Sequence, residues 1–214
     1  MTEHEHRHEA AEHEHAEHDH AEHDHAEHEH HHHHHEPIDY GDAVVQLRAQ
    51  KDDYFATNPR SPIPEAERGT FTGLPYYAVD ETLRFEGRPL EPYTGGEPSD
   101  FQIPTSDGKL RPAHRAGVLT FDLGAERRSL TAYTFDGGDE ESLFVPFLDA
   151  TSGRETYGAG RYLDIDPDED GTYTIDFNLA YHPSCVYDPR YSCPLTPAEN
   201  RLPVRIEAGE RLAS

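Results

Sequence analysis

The sequence predicts a mainly β fold, an antiparallel β-barrel or β-sandwich with one N-terminal α-helix, preceded by a disordered N-terminal tail. Three observations lead there. Short runs of alternating apolar and polar residues recur beyond residue 80, Gly and Pro clusters separate them at short intervals, and no later helical pattern intervenes to cross over parallel strands. The first 36 residues are of another kind, because 16 of the 18 histidines lie between His4 and His35, interleaved with Glu, Asp and Ala.

The tail repeats AEHEH at 11–15, AEHDH at 16–20 and 21–25, and AEHEH at 26–30, before His31 to His35. After Met1 it holds no core-forming residue larger than Ala, so burial does not offset its ordering entropy and disorder or transient helix is expected without metal. Neutral imidazole binds Ni, Zn, Cu and Co divalent ions well, and the neighbouring carboxylates add oxygen donors and negative potential. The expected ligands are His13, His15, His18, His20, His23, His25, His28 and His30, followed by His31, His32, His33, His34 and His35. An expression tag would account for His30 to His35 but not for the ten histidines upstream. A solvated acidic tail without a role is the remaining reading.

Residues 37–214 are expected to form a single domain with one core. Tyr40, Val44, Leu47 and Tyr54 fall at helical spacing, Asp39 is placed to cap, and Asn58-Pro59 is placed to stop, which predicts one amphipathic helix over 39–55. The period then changes to two. Leu119, Phe121 and Leu123 alternate with polar residues, and Tyr173, Ile175, Phe177, Leu179 and Tyr181 do so more clearly. Leu83 with Phe85, 143–147, 157–165, and Val204 with Ile206 complete the expected strands. Between 183 and 197 four prolines forbid regular pairing, so this stretch reads as a rigid flap laid over the sheet, with tyrosine rings covering apolar surface.

Charge narrows the function. The formal net charge is −25, and both tail and domain are acidic, a field that repels nucleic acid and anionic membrane surfaces. Only Lys51 and Lys109 are lysines, and scarce lysine with dense carboxylate suggests adaptation to high salt. No window approaches the roughly 18 apolar residues of a membrane span, and the N-terminus lacks signal-peptide regions, so a cytoplasmic protein is expected.

The segments "LFVPFLDATSGRETYGAGRYLDI" and "DFNLAYHPSCVYDPRYSCPLTPAENRLPVRIEAGE", with "RAQKDDYF" and "SPIPEAERGTFTGLPYY" upstream, carry a resemblance. Over roughly residues 43–211 the chain resembles the bacterial and archaeal domain-of-unknown-function family numbered 1684. Its pattern fits at Pro146, Phe147, Asp149, Thr151, Gly153, Thr156, Tyr157, Gly160, Arg161, Tyr162, Asp176, Asn178, Tyr181, Cys185, Cys193, Glu199, Asn200 and Glu210, and departs at His182, where the family usually places Asn. The resemblance implies the domain and no particular activity.

Several motifs compete for a function. His182, Cys185 and Cys193 form H-x2-C-x7-C, which suits buried structural thiols first, a disulfide or stacked thiol pair next, and zinc or a reactive thiol last, since structural zinc sites bring cysteines closer in sequence. Strand parity puts Asp176 and Asn178 opposite the apolar face, with Arg161 expected on the preceding strand of a hairpin. Tyr157, Arg161, Asp176, Asn178 and Glu199 are therefore expected to line a site for a small anionic ligand under the flap, or to form a structural network in which Arg161 is a buried ion pair. "DIDPDEDG" opens like a calcium loop but has Phe177 where the twelfth ligand belongs, and reads as an acidic turn. "GAGR" reads as sheet curvature and Ser152 lacks a nucleophile elbow. The leading expectation is a β domain carrying a metal-buffering tail, against an enzyme or small-ligand binder, or an interaction module without a pocket. No cofactor is assigned to the domain.

Overall fold

The computed structural model describes residues 38–96, 101–138 and 142–213. The metal ligands expected in the tail lie outside this range. Two helices come first, α1 (Tyr40–Thr57) and α2 (Glu65–Arg68), the second a single turn that the sequence reading omitted. Among the described residues nine strands follow: β1 (Arg84–Arg88), β2 (Leu90–Glu91), β3 (Gln102–Pro104), β4 (Leu110–Pro112), β5 (His114–Leu123), β6 (Glu126–Thr134), β7 (Leu143–Phe147), β8 (Arg161–Ile165) and β9 (Tyr173–Asp176).

All pairing among these described strands is antiparallel. The main sheet has the order β2-β5-β6-β7-β8, and β1-β9 and β3-β4 form two-stranded ribbons. The main sheet and the β1-β9 ribbon enclose one large core, in which Leu119, Phe121, Leu130, Val145, Phe147, Ile175 and Phe177 are buried. Of the expected barrel or sandwich, the barrel does not close, because the edge strands β2 and β8 are unpaired with each other. Beyond β8 only a bridge between Tyr162 and Tyr181 continues the sheet, and the proline-rich chain that follows has too few N–H groups to extend a ladder.

Pro146 shapes the sheet from within. Its carbonyl faces β6, so its missing N–H lies on that side, and β6 and β7 share only the Tyr133–Phe144 pair. Asn200 fills the gap. Its carboxamide accepts from Thr131 N–H at 2.7 Å and donates to the carbonyls of Thr131 and Pro146, both at 2.7 Å, which replaces ladder bonds that proline cannot make.

Helix α1 is capped as expected, with the Asp39 carboxylate accepting the Gly41 N–H at 2.9 Å, but its docked face differs from the expected one. Leu47 is 50% exposed and Tyr54 40%, whereas Val44 and Phe55 are buried. The inward stripe is Tyr40, Val44, Arg48, Lys51, Asp52 and Phe55, half of it charged side chains. Arg48 donates to the carbonyls of Tyr77 and Asn178, and Asp52 accepts from Leu74 N–H.

Three expected strands are corrected by capping, glycine geometry and side-chain bonding. β9 ends at Asp176 because that carboxylate accepts the Asn178 N–H and starts a 3-10 turn over Phe177–Leu179, which leaves Leu179 exposed. The strand expected over 157–165 begins only at Arg161. Gly160 before it has φ 105, and a Cβ there would stand 2.5 Å from the Phe147 carbonyl oxygen. Val204 and Ile206 lie in an extended segment that forms no regular strand: the Val204 carbonyl accepts the Ala150 N–H at 2.9 Å, and Ile206 bonds to the Arg161 guanidinium and the Asp149 carboxylate.

Candidate functional site

Arg161, at the start of β8, is 1% exposed and points under the C-terminal segment 201–210. Its guanidinium donates to the carbonyls of Ile206 at 2.8 Å, Ala208, and Glu210 at 3.1 Å, and Asp149 Oδ1 lies 3.6 Å away. Burial pulls its pKa downward and the Asp149 charge opposes that. Asp149 itself accepts from Thr151 Oγ1, Ser152 Oγ and the Ile206 N–H. One buried ion pair thus holds residues 206–210 of an extended segment whose earlier part bonds backbone to backbone with residues 148–150.

The other four expected site residues lie in separate networks. Asp176 and Asn178 dock helix α1: Asp176 accepts from Tyr40 Oη at 2.6 Å, and the Asn178 amide donates to Tyr40 Oη at 3.1 Å and to the Asp80 carbonyl at 2.8 Å. β8 pairs with β7 while β9 pairs with β1, so the Arg161–Asp176 hairpin is absent and the two side chains serve different interfaces. Glu199 accepts from Arg115 at 2.9 Å and Tyr133 Oη at 2.8 Å, with the Arg115 guanidinium 3.7 Å from the Phe101 ring centroid. Burial would raise the Glu199 carboxyl, but these donors and its own backbone N–H hold it below the usual range. Tyr157 sits beside the thiols, its hydroxyl 4.0 Å from Cys185 Sγ, and its N–H donates to His182 Nε2 at 3.3 Å.

Sequence reasoning named Glu210 only as a position of the family pattern, yet it organises the junction of flap and C-terminal segment. It is buried and accepts from Lys51 Nζ, the His182 N–H at 2.7 Å and Tyr187 Oη at 3.0 Å. The signal available was Lys51, one of two lysines in the chain. His182 is neutral there: burial first, then Arg161 and Lys51, push its pKa down to about 3. Because Nε2 accepts the Tyr157 N–H, the ring proton sits on Nδ1, 3.6 Å from Glu210 Oε2.

The proline-rich segment does wall a cavity, on the opposite side from Arg161. A cleft of about 620 Å³ lies between it and the β6-β7-β8 face. Tyr133, Phe144, Tyr162, Asp164, Tyr181 and Cys193 line it. Tyr181 Oη donates to Asp164 Oδ2 at 2.6 Å, and Tyr162 Oη donates to the Pro194 carbonyl. Burial raises the Asp164 carboxyl despite the Tyr181 bond, and it raises the Tyr162 and Tyr181 phenols. Polar tips on aromatic walls suit a small organic ligand with both an apolar body and hydrogen-bonding groups.

Among the described residues, no group of three or more His, Cys, Asp and Glu side chains is gathered closely enough to hold a metal ion. The Asp166–Gly171 stretch closes as a turn, with Asp170 accepting from Thr172 N–H and Oγ1 and Asp168 from Thr174 Oγ1. Cys185 and Cys193 are free thiols. No described helix is long and apolar enough to cross a membrane.

A family model described as a protein of unknown function, DUF1684, matches residues 69–211, which is most of the chain and includes every residue of these networks except those of α1. The chain belongs to the DUF1684 family. Both helices precede the matched span, whereas the resemblance in sequence reached back to about residue 43. The solution structure of an uncharacterized protein from Haloarcula marismortui is 38% identical, with a TM-score of 0.60 over 80% of this chain and 95% of that one. No curated protein matches the chain.

Proposed function

We propose that this DUF1684 protein sequesters divalent transition metal ions, Ni, Zn, Cu or Co, on residues 1–36, with the β domain as its stable carrier. The observation that carries the reading is the partition of imidazoles, 16 in the tail and two in the domain. Both domain histidines are committed: His182 is buried, neutral and hydrogen-bonded, and His114 pairs with Asp136 at 2.8 Å. Residues 38–214 form one compact unit, so removal of residues 1–36 is expected to leave a folded domain. Calorimetric titration with Ni or Zn at neutral pH should then show most of the uptake lost, and the uptake of the intact chain should weaken steeply from about pH 7 to about pH 5 as imidazoles protonate. Equal uptake by both proteins overturns the proposal.

A second reading is favoured by the cleft under the flap. Its aromatic walls and the Tyr181–Asp164 pair support binding of a small organic ligand by the domain itself. A fragment screen followed by NMR should give shifts concentrated at Tyr162, Asp164, Tyr181 and Cys193. Shifts elsewhere, or none, remove this reading.

A further inference from the structure

The chain between Cys185 and Cys193 is built to bring two thiols together. Asp188 is buried and accepts from Arg190 N–H at 2.9 Å, and the Tyr191 N–H donates to the Asp188 carbonyl at 3.1 Å, so the chain reverses between the cysteines. Each end is then held by a different part of the molecule. Cys193 N–H donates to Ser106 Oγ at 3.0 Å, and Ser106 N–H donates to the Cys193 carbonyl at 2.8 Å, which pins Cys193 to the β3-β4 ribbon. Cys185 sits in a 3-10 turn over Ser184–Val186 that begins just past His182, whose N–H is bound to Glu210. Between these anchors the Cys185 N–H donates to Cys193 Sγ at 3.3 Å. That N–H fixes the approach of the two residues, and at Cys193 it opposes the burial that raises the thiol.

We propose that Cys185 and Cys193 form a reversible dithiol–disulfide couple that exchanges electrons with low-molecular-weight disulfides. Their accessibility sets the order of steps. Cys185 is half-buried and Cys193 is buried at the cleft wall, with its thiol pushed up to about 11 by burial. The Cys185 thiolate therefore attacks first, forming a mixed disulfide and expelling one half of the small disulfide as a thiolate. Cys193 then loses its proton, attacks Cys185 Sγ and expels the second half. The two cysteines give up two electrons, the small disulfide becomes two thiols, and the two cysteine protons end on those thiols. The proline-rich segment acquires a purpose in this reaction, because fixed φ angles on both sides of the turn hold the sulfurs in reach without regular secondary structure.

The test uses the full chain in buffer with a chelator, so that tail-bound metal does not oxidise thiols, and oxidised glutathione as the probe. The expected product is monomeric, lighter by two hydrogens, free of glutathione and devoid of titratable thiols in denaturant, and it returns to the dithiol on reduction. Cys193→Ser should stop at one glutathione on Cys185. Cys185→Ser, which leaves the buried thiol alone, should react more slowly by about tenfold or more. Persistence of the mixed disulfide in the wild-type chain, two unreacted thiols, or a disulfide between two chains would each overturn the proposal.

Discussion

Two adjoining stretches lack regular strands, and the fold treats them in opposite ways. Residues 201–210 alternate exposed and buried, with Leu202, Ile206, Ala208 and Glu210 inside, and their carbonyls are gripped by Arg161. Residues 183–197 are held at scattered points, through Ser106, through Asp188 with Arg190, and through Tyr162 on the Pro194 carbonyl, and they leave a cleft behind them. Both must satisfy backbone groups beyond the few that neighbouring chain serves, such as the Leu202 N–H on the Leu148 carbonyl and the Leu195 N–H on the Pro104 carbonyl. The first does so with a buried charged side chain and becomes part of the core; the second does so with exposed turns and stays available for chemistry.

The sharpest way to break this contrast is to remove the staple. Arg161→Ala leaves Asp149 buried without its counter-charge and three carbonyls without donors, and should destabilise the domain by about 3 to 5 kcal/mol in denaturant unfolding. Arg161→Lys should recover little, since an ammonium does not reproduce a planar fork that reaches several carbonyls at once. A loss below about 1 kcal/mol for Arg161→Ala would show that residues 201–210 hold themselves, and the contrast with the flap would fail.

How much of this was legible in the sequence follows from what each pattern reports. Alternation at Val204 and Ile206 predicted a strand that does not form, because period two says nothing about whether the partner is a strand or an arginine. Parity placed Asp176 and Asn178 opposite Ile175 and Phe177, yet the expected link to Arg161 needed a β8-β9 hairpin that β1 displaces. The helix was legible through Asp39 and Asn58-Pro59, while its docked face was not, because Arg48, Lys51 and Asp52 read as solvent-facing until the carbonyls and Glu210 that receive them are in place. The flap was legible from its prolines. A site under it was expected too, but not the lining observed, since Tyr133, Phe144, Tyr162 and Asp164 meet there only once β6, β7 and β8 are in register.

A second prediction concerns the junction of the two stretches, where His182 meets Glu210. Folded, His182 stays neutral down to about pH 3; unfolded, it takes a proton below about pH 6.5. The unfolded chain therefore binds more protons between those values, so stability is complete above about pH 6.5 and declines as pH falls toward 3, by up to about 1.4 kcal/mol per pH unit from this group. His182→Asn removes the proton and keeps hydrogen-bonding capacity. The difference in unfolding free energy between wild type and variant should carry that slope across the window, and a pH-independent difference would mean that the ring is already protonated or solvated in the folded chain.

The smallest expected effect sharpens the contrast from the flap's side. Ser106 Oγ accepts the Cys193 N–H at 3.0 Å and donates to the Tyr191 carbonyl at 3.2 Å, and it is exposed on the β3-β4 ribbon. Water can replace both bonds when the hydroxyl is removed, so Ser106→Ala should cost less than about 1 kcal/mol of global stability. The loss should be local. Hydrogen exchange at the Cys193 amide should accelerate, while the amides of Leu202, Ile206 and Ala208 keep their protection, because those stretches open as separate units. If Ser106→Ala instead costs as much as Arg161→Ala, or deprotects both stretches together, then the flap and the C-terminal segment are one cooperative element, and the contrast between them fails.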